Sequence, residues 1–342
     1  MGARVTVARK GATASSSCLA ARTTRSASRK ERCAEEAVAT GPLGALSHDE
    51  LGVIVDGLAN PLQPVVAVAF SSTCKGLRTP LWAALKVLQQ RHEKAVAFCS
   101  KLYPRTSCAE LCIETMVYPH GLAADDFVTL GMLLSAGSIT RVKRLNLNQL
   151  QVYDTGMQSL CKGLGSGSVP SLHALSLLNN KLGLAAAEAF AAALCRGAMP
   201  QLERLWLHAN PIGDEGVAAL APPLQALRSL KVLAMPGCSI GDKGLASLVA
   251  DLGEDDFKAL ERLDLADNWI TEAGASTLVS AVLSGTFQSL DTLVIVGNLG
   301  DEAEEENLKH QLGRMWAETV DSDFEEEGEE EEASTEEDEE GF

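Results

Sequence analysis

Acid–base, nucleophilic and metal chemistry at neutral pH needs reactive side chains that converge. The six histidines of this sequence, His48, His92, His120, His173, His208 and His310, all fall in different segments. No H-E-x-x-H, G-x-S-x-G or Walker sequence occurs. The glycine-rich run from Gly163, GLGSGS, lacks the lysine of a phosphate-binding loop and reads as a flexible turn. The nine cysteines are odd in number, and Cys108 and Cys112 are four apart, not the three of a C-x2-C zinc knuckle. They read as buried free thiols in a reducing compartment. No catalytic set, metal site or cofactor is therefore expected, and the chain reads as a non-enzyme. What remains is the chemistry of recognition. Arg144, Arg204 and Arg262 offer planar, multiply donating cations, and Trp206, between Arg204 and His208, offers a large apolar area beside directional charge.

The elements that position these residues are written in repeats. The phrase LERLWLHANPIGDEGVAAL, Leu202 to Leu220, returns as LERLDLADNWITEAGASTL, Leu260 to Leu278. Aligned on the first apolar residue, units begin at Val142, Leu172, Leu202, Leu230, Leu260 and Leu290, in steps of 30, 30, 28, 30 and 30 residues. Apolar residues recur at positions 1, 4 and 6 of each unit, which is strand alternation. Position 9 is Asn in Asn180, Asn210, Asn268 and Asn298, but Cys238 in the fourth unit and Leu150 in the first. Glycine follows at position 15 in four units, and apolar residues come four and eight later, as in Leu220 and Leu224, which is helical spacing. Each unit therefore reads as strand, turn, helix. The asparagines form a ladder whose amides hydrogen-bond backbone left unpaired at the turns. One unit cannot bury its leucines alone, whereas stacked units can.

This pattern resembles the leucine-rich repeat family, in its ribonuclease-inhibitor-like class with a full helix per repeat. The resemblance covers about residues 105–315. It implies an α/β solenoid, a horseshoe with parallel strands on the concave face and helices on the convex face. A degenerate unit is expected to start near Cys108, with Leu111 and Ile113 at positions 4 and 6 and Leu130 and Leu134 on its helix. At the other end Leu308 and Leu312 keep the helical phase.

Strand alternation turns positions 3, 5 and 7 toward the concave side. There Arg144, Asn146, Arg204, Trp206, His208, Arg262 and Asp264 form the expected surface for a protein partner. The arginines share position 3 in alternate units, at ~10 Å spacing from twice the strand separation. Trp269, after the ladder asparagine Asn268, is expected to cover its turn.

Residues 41–104 read as a helical module. Ser47 and Glu50 make a capping box ahead of Leu51, Ile54, Val55 and Leu58, and Pro61 and Pro64 end that helix. The segment either caps the solenoid or is an F-box-like unit. The F-box resemblance rests on Leu46, Asp49, Glu50, Leu51, Ile54, Leu58, Cys74 and Lys75. It departs from the family at Ser47, where proline is expected, and at Gly76 and Leu77, where tryptophan is expected. It implies docking to a Skp-type adaptor of a ubiquitin ligase through Leu46, Leu51, Ile54 and Leu58, the repeats choosing the substrate. A repeat array followed by a Glu-rich tail is also similar to the Ran GTPase-activating protein, which implies a small GTPase as the alternative partner.

The net charge of −17 is local, since Asp321 to Phe342 holds fourteen acidic residues and no Lys or Arg, and removing them leaves −3. Residues 318–342 read as a disordered acidic tail that keeps the chain soluble, binds basic partners or folds back on the arginines. Residues 1–40 read as a disordered basic arm or a targeting peptide. No nucleic-acid motif and no run long enough to span a membrane is present, so a cytoplasmic or nuclear location is expected, with organellar import through residues 1–32 left open.

Overall fold

The structure, a computed structural model, describes residues 50–72 (without 52 and 55–57), 81–102, 115–117, 122, and 124–317 (without 140, 251, 254 and 299–301). The chain divides into two compact units, Met1–His92 and Glu93–Phe342.

In the first unit, Leu51, Ala67, Leu81 and Leu88 form a buried cluster against which Leu58, Phe70 and Leu85 pack. Helix α1 (Val65–Ser72) supplies Ala67, and helix α2 (Trp82–Leu102) supplies Leu88 before running on into the second unit. Asn60 shapes the turn before α1 by accepting from the Leu62 N–H at 2.9 Å, and His92 Nδ1 lies 2.7 Å from the Pro61 carbonyl.

The second unit is a seven-stranded parallel sheet in sequential order: β1 (Thr115–Val117), β2 (Arg144–Asn146), β3 (Ala174–Ser176), β4 (Arg204–Trp206), β5 (Val232–Ala234), β6 (Arg262–Asp264) and β7 (Thr292–Val294). Helices alternate with them: α3 (Ala124–Ser135), α4 (Tyr153–Cys161), α5 (Leu184–Cys195), α6 (Gly213–Gln225), α7 (Asp242–Val249), α8 (Glu272–Leu283) and α9 (Glu302–Leu312). This is the α/β solenoid that the repeats imply. From β2 onward the strands pair in strict phase, Leu145 opposite Leu175, then Leu205, Leu233, Leu263 and Leu293. Those leucines and the residues at position 6 are buried, as are Leu160, Leu220, Leu248 and Leu278 on the helices, so the core runs as a layer between sheet and helices.

The first repeat differs from the sequence expectation. Thr115 pairs with Arg144 and Met116 with Leu145, so Met116, not Leu111, holds position 4. Counting back, the unit starts at Ile113, 29 residues before Val142, rather than at Cys108. Its length is thus ordinary, and the extra residues belong before the repeat. Alternation of Leu111 with Ile113 has the same period as the true strand, and pairing with β2 decides between them. Leu130 and Leu134 are buried on α3 as expected.

The chain leaves each strand through one sharp turn. Position 8 takes left-handed backbone in all six units from β2 on: Gln149 (φ 58°), Asn179 (53°), Ala209 (51°), Gly237 (62°), Asp267 (53°) and Gly297 (74°). Gly, Asn and Asp adopt this conformation readily; Ala209 and Gln149 carry a cost of about 1 kcal/mol each, held by the stack around them.

The asparagine ladder then pins the turns together. Asn268 Oδ1 accepts from the N–H groups of Cys238 (2.8 Å) and Ile240 (3.1 Å) in the preceding unit, while Nδ2 donates to the Met235 and Leu265 carbonyls, both at 2.9 Å. Asn180, Asn210 and Asn298 repeat the pattern. Cys238 keeps half of it. Its thiol donates to the Leu207 carbonyl at 3.1 Å and its sulfur accepts only weakly, from the Asn210 N–H, while the Ile212 N–H turns to the Asn210 carbonyl at 2.7 Å instead. Burial pushes that thiol up to about 12, so it stays protonated.

A second ladder was not anticipated from the sequence. Asp154, Asp214 and Asp242, at position 13, accept from the N–H of Gly183 (2.7 Å), Gly241 (2.7 Å) and Thr271 (2.8 Å), each just ahead of the next helix. A Cβ on Gly244 would lie 2.7 Å from Asp214 Oδ1 and one on Gly274 would meet Asp242, so there the preceding aspartate favours glycine; at Gly216 the crowding atom is Ile212 Cγ2, at 2.6 Å. The second unit has Leu184 at position 13, and that side chain is partly exposed.

The ends are closed differently. At the start, Lys101 on α2 donates to both carboxylate oxygens of the buried Asp126 on α3, at 2.8 Å. At the end, Leu308 and Leu312 of α9 are buried, a short 3-10 turn follows (Gly313–Met315), and Trp316 bridges Leu293 in parallel. The Ala317 N–H donates to the Leu293 carbonyl at 3.1 Å, so the chain runs along the outer edge of β7 and blunts it.

Candidate partner-binding surface

Side chains at positions 3, 5 and 7 occupy the side of the sheet away from the helices. Arg144, Arg204 and Arg262 are half-buried there, and strand pairing sets Ala174 and Val232 between them, so the arginines stand two strands apart. Arg144 and Arg262 are both engaged by neighbouring groups.

Position 5 departs from the expectation of a projecting row. Ser176 is 2% exposed, Trp206 5%, Ala234 0%, Asp264 6% and Val294 1%. Trp206 does not project. It packs with Ala174 and Ala234, which lie on the two flanking strands, and the three form a buried apolar cluster. The reason is size. Alanines on both sides leave a trough that an indole fills, and burying so large an apolar area outweighs leaving it in water. Asn146 and Asp264, also at position 5, turn back on their own chain. Asn146 Oδ1 accepts from the Asn148 N–H, and Asp264 Oδ1 from the Ala266 N–H, both at 3.0 Å. Burial raises the Asp264 pKa above the usual carboxylate value, and the Asp267 charge adds to the rise, while the Ala266 N–H opposes it.

His208, at position 7, is half-buried. Burial lowers its pKa from 6.5 to about 4, so it is neutral at pH 7 and adds no positive charge beside the arginines. Its Nδ1 is buried without a hydrogen-bond partner. The positive character of this face therefore belongs to the arginines.

Two features lay outside the sequence reading. Trp269, expected to cover its turn, is 71% exposed, with only its backbone tied in by an N–H donated to the Ile240 carbonyl at 2.8 Å. Tyr153 is also exposed on this rim of turns, with Lys181 Nζ 5.4 Å above its ring. The signal for Trp269 was its place directly after the ladder asparagine, where the chain bends around Asn268 and the next side chain points away.

In the helical module, Leu46 lies outside the described residues. Leu51 is buried in the module's own core and Leu58 packs against it, so these two hold the module together; Ile54 is half-buried. Exposed apolar residues among those described include Val53, beside Ile54, Val65, Val66 and Val68 on α1, and Trp82 and Val87 on α2. Val68 and Trp82 border a groove of about 470 Å³ with Leu85, Leu88 and His92, and Lys86 Nζ lies 5.1 Å from the Trp82 ring.

Among the described residues no group of three or more His, Cys, Asp and Glu side chains could hold a metal ion. The described cysteines are free thiols, Cys99, Cys161 and Cys238 buried and Cys195 exposed. No described helix is long and apolar enough to cross a membrane.

Comparison with known proteins agrees with this architecture. A leucine-rich repeat family model matches residues 202–221, 226–249 and 259–279. The chain is similar to the ribonuclease inhibitor of Sus scrofa, 28% identical over 206 residues, which is 52% of this chain and 43% of that protein. It is similar at the same identity, over 145 residues, to leucine-rich repeat-containing protein 73 of Rattus norvegicus and Homo sapiens, covering 41% of this chain and 44% of theirs. The chain thus spans less than half the length of these relatives.

Proposed function

Because the chain is a leucine-rich repeat protein of the ribonuclease-inhibitor-like class, we propose that it acts as a protein-binding scaffold whose partner seats against the arginine row and the adjoining rim. One observation carries this reading. Six in-register strands hold Arg144, Arg204 and Arg262 in a row beside a rim that presents Trp269 at 71% exposure. Exposed tryptophan and directional arginine are the side chains on which interfaces most often depend, and a stacked scaffold loses little entropy on binding. The name of the ribonuclease inhibitor describes a protein that acts by binding another, in line with the same use here.

The test is affinity capture from native lysate with three full chains: intact, Trp269→Ala and Arg204→Glu. Partners retained by the intact chain and lost with both substitutions identify the surface. An unchanged partner list for both removes it.

The finer reading is an F-box-like substrate receptor. The apolar groove beside Trp82 and the exposed valines of α1 favour it, since a buried adaptor contact needs such a patch. Co-purification of a Skp-type adaptor that is lost with Val66→Asp and Trp82→Ala supports the receptor. Stimulated GTP hydrolysis by a Ran-type GTPase, with no adaptor retained, replaces it with the GTPase-activating alternative.

A further inference from the structure

We propose that Arg204 is the anchor of the arginine face and takes the carboxylate of an Asp or Glu side chain from a protein partner, an inference that rests on reading this face as the binding surface.

Three observations support this occupant. The first is that Arg204 is the member of the row left open. Arg144 and Arg262 are engaged by neighbouring groups, whereas among the described residues the Arg204 guanidinium has no hydrogen-bond or ion-pair partner. Its backbone is fixed, since its N–H donates to the His173 carbonyl at 2.9 Å. A cationic fork on an ordered strand can meet a ligand without first giving up an internal bond.

The second is what surrounds it. The register sets Ala174 and Val232 beside Arg204, and Trp206 follows on the same side of its own strand; all three are buried. The Arg204 side chain, half-buried beside these apolar groups, is therefore partly desolvated with no counter-ion among the described residues. Nearby carboxylates are already used. Glu203 lies 3.2 Å from Lys231 Nζ, and Asp264 Oδ1 accepts from the Ala266 N–H. In such surroundings a carboxylate gains more from the paired N–H groups of arginine than it would in water. A phosphate dianion calls for further cations, and the other two arginines stand ~10 Å away and are engaged.

The third is that the open polar groups fall on one strand. In the units of β2 and β3 the polar side chains of this face bond to one another, Asn148 Oδ1 accepting from the Ser176 hydroxyl at 2.6 Å and from the Leu178 N–H at 2.9 Å. In the unit of β4 they do not. His208 Nδ1 is buried without a partner, four residues beyond Arg204 and so ~13 Å along the extended chain. That pattern fits an occupant laid along β4 better than one spread across the array.

The experiment uses the full chain and a library of random peptides of about twelve residues, displayed through their C-terminal ends so that only side-chain carboxylates are offered. Peptides retained by the intact chain are expected to be enriched several-fold in Asp or Glu over the input. For the tightest of them, Arg204→Gln should weaken binding about tenfold or more, and Arg144→Gln and Arg262→Gln no more than about threefold. Replacing the peptide's acidic residue by its amide should weaken binding to the intact chain as much, and to the Arg204→Gln chain hardly at all, because the two changes remove one pair. Selection repeated on Arg204→Glu should turn to peptides bearing Lys or Arg. The denaturant midpoint of Arg204→Gln should equal or exceed that of the parent, since no internal bond is lost. A lower midpoint would show Arg204 engaged within the chain and overturn the proposal. Retained peptides without acidic enrichment, equal losses for the three arginines, or no retained peptide at all overturn it too. Peptides that lack acidic residues but are lost with Trp269→Ala leave the binding-surface reading standing, whereas peptides indifferent to both Trp269→Ala and Arg204→Gln sink that reading as well.

Discussion

Trp206 and Trp269 belong to the sheet face and the turn rim of one solenoid, and they meet opposite environments. Trp206 is 5% exposed and Trp269 is 71% exposed. The difference comes from what the neighbouring units place alongside. Trp206 has alanines on both flanking strands and sinks between them. Trp269 follows Asn268, whose amide is consumed by the ladder, so its backbone is held and its side chain is left outside. A side chain's reach toward a partner thus depends on whether adjacent repeats leave room for it, and less on its nominal direction along the strand.

The sharpest way to break this contrast is to truncate both. Trp206→Ala should cost about 3–5 kcal/mol, as for other buried aromatics, read as a lower denaturant midpoint. Trp269→Ala should stay within about 0.5 kcal/mol of the parent, as surface changes do, while weakening partner capture. Equal losses would show that the rim residue is structural too.

Next in size is the ladder that holds the rim in place. Asn268→Ala strands the Cys238 and Ile240 N–H groups and should cost about 2–3 kcal/mol, the penalty of buried donors left unpaired. Cys238→Asn puts a strong amide acceptor where the weak sulfur stands and should gain up to about 1 kcal/mol; a loss would mean that the Ile212 N–H is already satisfied by the Asn210 carbonyl.

His208 sharpens the comparison through pH. Its folded pKa is lowered to about 4 from 6.5, so its contribution is intact above 6.5 and is lost as pH falls through about 4. Denaturant midpoints of the parent should drop over that window more than those of His208→Asn, and parallel curves would exclude His208 as the cause.

The smallest effect is expected at Asp264. Its pKa is raised by burial, so the charged form is penalised as pH rises above the usual carboxylate range, and the penalty is present at neutral pH. Asp264→Asn keeps the acceptor for Ala266 and should raise neutral-pH stability by under about 1 kcal/mol, an increment that vanishes below the ordinary carboxylate pKa.

Much of the fold was legible because it is periodic. Leu175, Leu205, Leu233 and Leu263 announce their strands by position alone, and Asn180, Asn210 and Asn268 announce the ladder. Where the period weakened, the reading slipped. Leu111 and Ile113 alternate as well as Thr115 to Val117 do, and only pairing with β2 placed Met116 opposite Leu145. The aspartates at position 13 were missed because Leu184 interrupts the series and because an acidic residue near a helix start has a local explanation that hides its bond to the next unit. The proposed binding face was legible as a set of positions, but not as a surface. Trp206 was expected to project, His208 to help the arginines and Trp269 to cover its turn, and each depends on packing that alternation does not encode.

The sequence by itself determined the repeat, the inward leucines, the ladder and the strand order, because a recurring pattern of apolar residues has one economical way to hide from water, by stacking. Only the tertiary structure decided the register of the first strand, the burial of the central tryptophan, the neutrality of His208 and the prominence of Trp269. Those properties arise where residues about thirty apart in the chain become neighbours, and the volume and dielectric of such a site belong to the assembled stack and to no single repeat.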